Sequence, residues 1–549
     1  MSLYQKMTSS EDYLLRKLPA KPKRERIARS DFGGMTSLMG GGRLIAMENM
    51  SPRLAPALAT RKPRGLLTAT ALGSGTPHGM TAFGGNLYFV RGTVLYGMDS
   101  EAVFTVGAVS DTDKRFFVFD DRLYIYPDKL YLAAGGTALK SMEVSSGEVD
   151  GATFTGNTVT LPEGKRWTTW GFAAGDCLRV VNADDDLPAP EGYYRILGIN
   201  GRVATIQGNF PTTYESRAIF RRVVPDFERV CVNGDRVYGV AGKDLYISAA
   251  GSALDFYSTG SGNGQDPVHL RLSSEGDITA CVAWQGYVVL FKADRISKLL
   301  GSRSDSFTLQ ERPAVGISAR LADTLCEVGG DLYYAAESGV YRYRGQEPER
   351  ISDLGEDGVR GGCGGTDGRA YYVAVRRKGD IWKQFCYLPE TGEWYGEDSL
   401  HPACMIEWDG GICIQDAEGY LWKTSSDGRD HACLYDEVLI RGAMVSSVTL
   451  QPDYDFQPDG CRPVGIYLRA TAKAGGVLEV KGEYACGEKK LDADGSREVP
   501  LGVFTGKMTD RLLRIPLSPR LCDGLRLRLA MTGEWVIHEV ICEYERAGR

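Results

Sequence analysis

A short unit recurs along the chain: a small turn carrying Gly or Asp, an apolar strand with a tyrosine, a second turn, and another apolar strand. The copies are GGNLYFVRGTVLYGM (84–98), DDRLYIYPDKLYLA (120–133), NGDRVYGVAGKDLYIS (233–248), WQGYVVLFKADRISKLLG (284–301), GGDLYYAAESGVYRYRG (329–345), DGRAYYVAVRRKGDIWKQFCY (367–387) and DGGICIQDAEGYLWKT (409–424). Alignment puts Tyr88, Tyr124, Tyr238, Tyr287, Tyr333 and Tyr371 in register. Counted on to the same position of the last copy, the intervals are 36, 114, 49, 46, 38 and 41 residues. All but one fall at 36–49, about the length of a four-stranded propeller blade. The strands are apolar on both faces, as in YVVLF (287–291). Such strands suit sheets sandwiched between neighbouring sheets.

The expected fold is therefore all-β: a six- to seven-bladed β-propeller over residues 66–135 and 223–428. Seven hairpins are visible, but two could share a blade, so six remains open. The composition agrees. Glycine is 68 of 549 residues and tyrosine 28, and glycine disfavours helix interiors by about 1 kcal/mol each. The long interval holds an insertion, 136–222. Its segments 171–181 and 192–210, with a turn at Asn200–Gly201, suit a small β-barrel. Asp184–Asp186 lies on its loop and lacks the spaced ligands of a Ca²⁺ site. From 429 to 549 the strands alternate apolar and polar (464–472, 478–484, 511–517, 525–531), which indicates a C-terminal β-sandwich. Arg526 and Arg528 are expected on its solvated face.

The net charge of −7 hides a split. Residues 1–65 hold 13 Lys/Arg and 5 Asp/Glu, a net +8, leaving −15 on the rest. This argues against a broadly basic nucleic-acid binder. The densest run is KPKRERIAR, giving Lys21, Lys23, Arg24, Arg26 and Arg29 as partner-docking candidates. The default reading of 1–65 is a solvated basic arm. The sharper readings are an arm that orders against an acidic neighbouring subunit, or one that touches DNA phosphates. Few aromatics interleave with the basic run, which disfavours stacking on single strands.

Catalytic signatures are missing from the sequence. No GxSxG occurs. GVFTGKMT (502–509) has three residues between its glycines and Met508 where a phosphate loop needs Ser or Thr. GSGNG (260–264) misses the dinucleotide spacing. SSDGRD (425–430) and SSEGDITACVAW (273–284) only echo sialidase turns. The five histidines, His78, His269, His401, His431 and His538, match no zinc spacing. The 13 cysteines are scattered and odd in number, so they read as reduced, mostly buried thiols. No catalytic residue, cofactor or metal is expected, and the chain is read as not an enzyme. No apolar run is long enough for a transmembrane helix, and the first residues lack a secretory core. Synthesis in a cytoplasm follows as the expectation.

Three segments carry a family resemblance. DLYISAAGSALDFYSTG (244–260) with SSEGDITACVAWQGYVVLFKADRISKLLGS (273–302) is the first. ENMSPRLAPALATRKPRG (48–65) and PLSPRLCDGLRLRLAMTGEWVIHEVICEYERAG (516–548) are the others. Together and in this order they resemble propeller proteins of tailed bacteriophages, the tail nozzle or stabilisation proteins of short-tailed phages. The resemblance implies a virion structural protein, assembled in the bacterial host cytoplasm. It would form a homo-oligomeric, hexameric ring below the portal and adaptor and contact other tail proteins. The ring would form or close the DNA ejection conduit, passing viral DNA without sequence recognition, near the host surface. The inserted barrel and basic arm depart from the family pattern. The rival reading is a receptor- or glycan-binding tail protein, or a glycan hydrolase, whose Tyr- and Trp-bearing loops stack on sugars.

Overall fold

The computed structural model describes residues 24–30, 32, 34, 44–68, 73, 75–100, 102–183, 190–258, 260, 262–352, 359–424, 432–435, 438–441, 445–450, 461–485, 498–517, 522 and 524–546. Within them the chain is all-β, a set of small antiparallel sheets of propeller type.

Six four-stranded meanders span 77–108, 115–141, 229–271, 280–313, 326–352 and 361–396. A seventh sheet begins with Pro402–Trp408, Gly411–Asp416 and Leu421–Thr424. Its fourth position is filled from the other end of the chain, by Arg64–Leu66, with Trp422 opposite Leu66. Ala432–Tyr435 and Val438–Arg441 extend it further. Each of the seven repeats falls in its own sheet, so no two share one.

Local chemistry explains the meanders. At Gly84–Gly85, Asp120–Asp121, Gln285–Gly286, Gly329–Gly330 and Asp409–Gly410 both residues of the first turn have positive φ. Two-residue hairpins whose twist matches the strands need that conformation, and Gly and Asp tolerate it best. The aligned tyrosines all lie on the second strand of their sheet, and all but the half-buried Tyr287 are buried. They pack between sheets. The Tyr333 ring stacks on Tyr371 of the next sheet, with centroids 5.6 Å apart.

Neighbouring sheets share apolar clusters all the way round. Val90 and Ile125 belong to one between the first and second sheets, and Tyr126 and Val237 to one between the second and third. Val240 and Leu290 join the third to the fourth, Phe291 and Tyr334 the fourth to the fifth. Tyr333 and Tyr387 join the fifth to the sixth, and Ala374 and Ile414 the sixth to the seventh. Cys413 and Phe89 bring the seventh back to the first.

The insertion forms a sheet of Val144–Thr160, Cys177–Asn182, Gly192–Asn200 and Val203–Arg222. The last strand is long enough to pair with all three others along its length. Its hairpin turns at Gly201–Arg202, with Asn200 opposite Val203. Its own core is centred on Trp167, Phe154 and Phe220. Asp184–Asp186 lies outside the described residues.

The C-terminal region is two facing sheets. One holds Cys461–Ala472, Met508–Ile515 and Trp535–Arg546, and the other Val445–Leu450, Val477–Ala485, Val499–Thr505 and Gly524–Thr532. Leu468, Leu478, Leu529 and Ile537 fill the space between. Two expectations need correction here. The solvated-arm reading of residues 1–65 does not hold for the described part of that stretch. Arg24–Arg29, Met50–Ser51 and Leu58–Thr60 are strands of the first sheet, and Leu44–Glu48 is a strand of the second. Arg526 is not on a solvated face. It is 15% exposed and donates to Glu483, itself 2% exposed, at 3.2 Å. A carboxylate removed from water requires such a partner.

Candidate functional site

The first strands of all seven sheets converge on one central cavity of about 430 Å³. Its wall includes Met80, Phe116, Val282, Ala322 and Ile406. Four cysteines line it from consecutive sheets: Cys281, Cys326, Cys363 and Cys404. Burial pushes the Cys326 and Cys404 thiols up to about 12, and the Cys363 thiol well above its ordinary value. Thiols held protonated in this way are weak nucleophiles and poor metal ligands.

Charge in the cavity lining centres on Asp323. Its carboxylate accepts from Arg115 Nη2 at 3.4 Å and from Arg229 Nη1 at 3.2 Å. Burial pulls the Arg229 guanidinium down, against the opposing pull of Asp323. His78 is held by two carboxylates, Nε2 to Asp111 at 2.7 Å and Nδ1 to Asp113 at 3.0 Å. With both ring nitrogens engaged, His78 has no free edge for a nucleophile or a metal. Among the described residues no group of three His, Cys, Asp or Glu side chains is placed to hold a metal ion. No described helix is long and apolar enough to cross a membrane. The cavity has the volume of a small-molecule pocket.

The other histidines hold local structure. His269 stacks on Tyr246 and pairs with Asp244 at 3.0 Å. His401 lies flat on Trp382 with centroids 4.2 Å apart, and His538 meets Thr471 at 2.8 Å. His431 lies outside the described residues.

The docking candidates divide. Lys21 and Lys23 lie outside the described residues. Arg24, Arg26 and Arg29 sit on one strand, paired antiparallel with 540–545 of the same chain. Arg24 faces Glu545 and Arg26 faces Glu543, and Arg24 Nε reaches Glu545 Oε1 at 2.9 Å. Tyr544 OH donates to Glu25 Oε2 at 2.8 Å. The basic run thus meets an acidic strand, and the structure places that strand within the same chain.

A second charged cluster escaped the sequence reading. Arg64 is buried and donates to Asp398 Oδ2 at 2.5 Å and to Glu397 Oε2. Arg61 adds Asp398 Oδ2 at 3.3 Å and Asn49 Oδ1 at 2.8 Å. Gln384 Nε2 donates to the same Glu397 oxygen at 2.9 Å. The Asn49 N–H binds the Glu397 carbonyl, with Asn49 held at φ 57°. This knot fixes the 44–66 segment against the end of the sixth sheet, where Met47, Met50 and Phe32 also pack near Trp394. The signal was present as Arg61 and Arg64 in the matched segment 48–65. Nothing local pointed to acids more than 330 residues away.

No protein-family model matches the chain, and no curated protein sequence matches it. Solved structures do match. The computationally designed Ika8 protein aligns over 66% of this chain and 99% of its own, at 10% identity and a TM-score of 0.35. BamB from Moraxella catarrhalis aligns over 69% of this chain and 96% of its own, at 11% identity and a TM-score of 0.32. Kluyveromyces lactis Hsv2 aligns over 59% and 97%, at 8% identity and a TM-score of 0.28.

Proposed function

We propose that this chain is a structural subunit of a tailed-phage virion, a nozzle or stabilising ring protein attached below the portal and adaptor. We read its seven sheets as the blades of one seven-bladed propeller, with the insertion as a small barrel and the C-terminal region as a sandwich. The observation that carries the reading is the junction of the two large modules. One continuous apolar core runs from the fourth, fifth and sixth sheets into the sandwich. The buried Arg61, Arg64, Glu397 and Asp398 knot locks it. A wall element must hold its modules at a fixed angle under load, and this construction does so.

Two further points support it. The cavity wall offers protonated thiols and engaged charges rather than an activated nucleophile. The aligned strand tyrosines, apart from the half-buried Tyr287, are spent on packing between sheets, as rigid stacked modules require. In this reading the conduit for DNA is the lumen between copies, not the propeller's own cavity. A mildly acidic wall suits that role, because each Lys or Arg contact to phosphate would slow passage. Electron microscopy of the purified protein, alone and mixed with portal-bearing heads, tests it. A closed ring bound at the portal vertex is expected. A monomer that ignores such heads would refute it.

A further inference from the structure

We propose that Cys231 and Cys281 form an oxidation site: a peroxide converts their facing thiols into an intrachain disulfide that staples the third sheet to the fourth. The inference goes beyond the virion reading and does not depend on it.

Strand geometry is the first argument. Arg229–Asn233 and Ala280–Trp284 are the first strands of the two sheets and run side by side. Arg229 Nε donates to the Thr279 carbonyl at 2.8 Å, and Asn233 Nδ2 to that of Gly286 at 3.3 Å. Side chains two apart on a strand share a face. Cys231, midway between these two, therefore also faces the fourth sheet. Residues directly opposite on paired strands share a face as well. Cys281 lies opposite Leu290, and Cys231 opposite Tyr238. Leu290 and Tyr238 belong to the apolar cluster between the third and fourth sheets, and both cysteines pack against that cluster. The two thiols hydrogen-bond to each other. Thiols placed in this way need only side-chain rotation to bond.

Access is the second argument. Both cysteines are free and half-buried. Cys281 also lines the central cavity, which a peroxide, little larger than water, can enter. The hydrogen bond with Cys281, and then burial, push the Cys231 thiol well above its ordinary value. Cys281, on the cavity side, is therefore the first to react. Its sulfur loses the proton and attacks one peroxide oxygen. The O–O bond breaks, and the leaving hydroxide takes up that proton as water. The Cys231 sulfur then attacks the Cys281 sulfenic acid. The S–O bond breaks, and the hydroxyl leaves with the Cys231 proton as a second water. Two thiols lose two electrons, and one peroxide is reduced to two waters.

The joint has a use for such a staple. Asn233 closes it at 3.3 Å, whereas the buried Trp284 closes the next joint, onto Gly330, at 2.9 Å.

The test uses the full-length protein, fully reduced and then treated with hydrogen peroxide. It is quenched, unfolded in iodoacetamide and mapped by peptide mass spectrometry. The expected product is a linked Cys231–Cys281 peptide, two hydrogens lighter than its parts and released by reduction. The chain should still run as a monomer on a non-reducing gel. Its melting temperature should rise by several degrees and return on reduction. In Cys231→Ser, dimedone should trap Cys281 as the sulfenic acid, and the melting shift should vanish. Recovery of both cysteines in alkylated form overturns the proposal. So does a link from either one to another cysteine, or Cys281 driven to the sulfinic acid beside an untouched Cys231. The mapping is done on the wild-type chain, so it decides even if the variant folds poorly.

Discussion

Trp408 donates its indole N–H to the carbonyl of Gly85 at 3.0 Å and so ties the seventh sheet to the first. The same device joins other neighbours. Trp284 donates to Gly330 at 2.9 Å, and Asn233 to Gly286 at 3.3 Å. In each case the last residue of a first strand reaches the first turn of the next sheet. The ring of sheets is thus closed by the contact that also builds it.

Replacing Trp408 with Phe keeps most of the apolar surface and removes the donor. Gly85 is exposed, so water can take over its carbonyl, and the expected loss is about 1 kcal/mol. Trp408→Ala empties a buried site and is expected to cost about 3–5 kcal/mol. Urea unfolding of the two variants separates the terms. Equal losses would show that the hydrogen bond, not the ring, carries the closure.

Arg64→Met leaves Glu397 and Asp398 buried without their main cation. The expected loss at neutral pH is about 3–5 kcal/mol. Burial already raises the Glu397 carboxyl, with Arg64 pulling it down. Without Arg64 it rises further. A raised carboxyl means that the folded state binds the extra proton, so its stability is greatest at low pH and is lost as pH rises through the folded value. The variant should therefore be closer to wild type at pH 5 than at pH 8, measured by thermal melts at both.

His401 titrates in the opposite sense. Burial against Trp382 lowers its pKa below the ordinary 6.5. The unfolded chain then takes the proton first. Its contribution is intact above about 6.5 and is lost as pH falls towards the folded value. Between pH 7.5 and 5.5 the melting temperature of His401→Phe should fall less than that of wild type. Parallel curves would contradict this.

Gly396 sits where the sandwich docks on the sixth sheet. A Cβ there would run into the main-chain carbonyl of Met47, which cannot rotate away. Gly396→Ala should cost about 1–3 kcal/mol of overpacking and loosen the two modules from each other. Calorimetry should show one wild-type transition broadening or splitting in the variant. An unchanged single transition would mean that the junction is softer than its packing implies.

The channel thiols offer a chemical check. Cys326, Cys363 and Cys404 should resist iodoacetamide at pH 8 in the folded protein and react in urea, because burial holds them protonated. Peptide mass mapping reads each site. Rapid alkylation of the native protein would show that the cavity opens.

Much of the propeller was legible because its signals are local. A turn at Gly329–Gly330 and a tyrosine four residues on specify a hairpin within a few residues, whatever the rest of the chain does. The alternation in 478–484 likewise specified a strand with one buried face. Even the Asn200–Gly201 signal found its hairpin, displaced by one residue.

The described strands within 1–65 left no such signal, for the converse reason. They are two to six residues long and pair with partners near 422, 450 and 540. A strand that short has no period to detect, and a ladder formed across almost the whole chain leaves no mark in either segment. The run of charge was visible, but charge alone does not say whether its counter-ions are water, another molecule or the chain's own last strand. The sequence by itself determined the hairpins, their number and their tyrosines, because turns and alternation are properties of neighbours. Only the tertiary structure decided that Arg64 joins the seventh sheet and, with Arg61, offsets Glu397 and Asp398. That choice depends on which distant groups lose their water together.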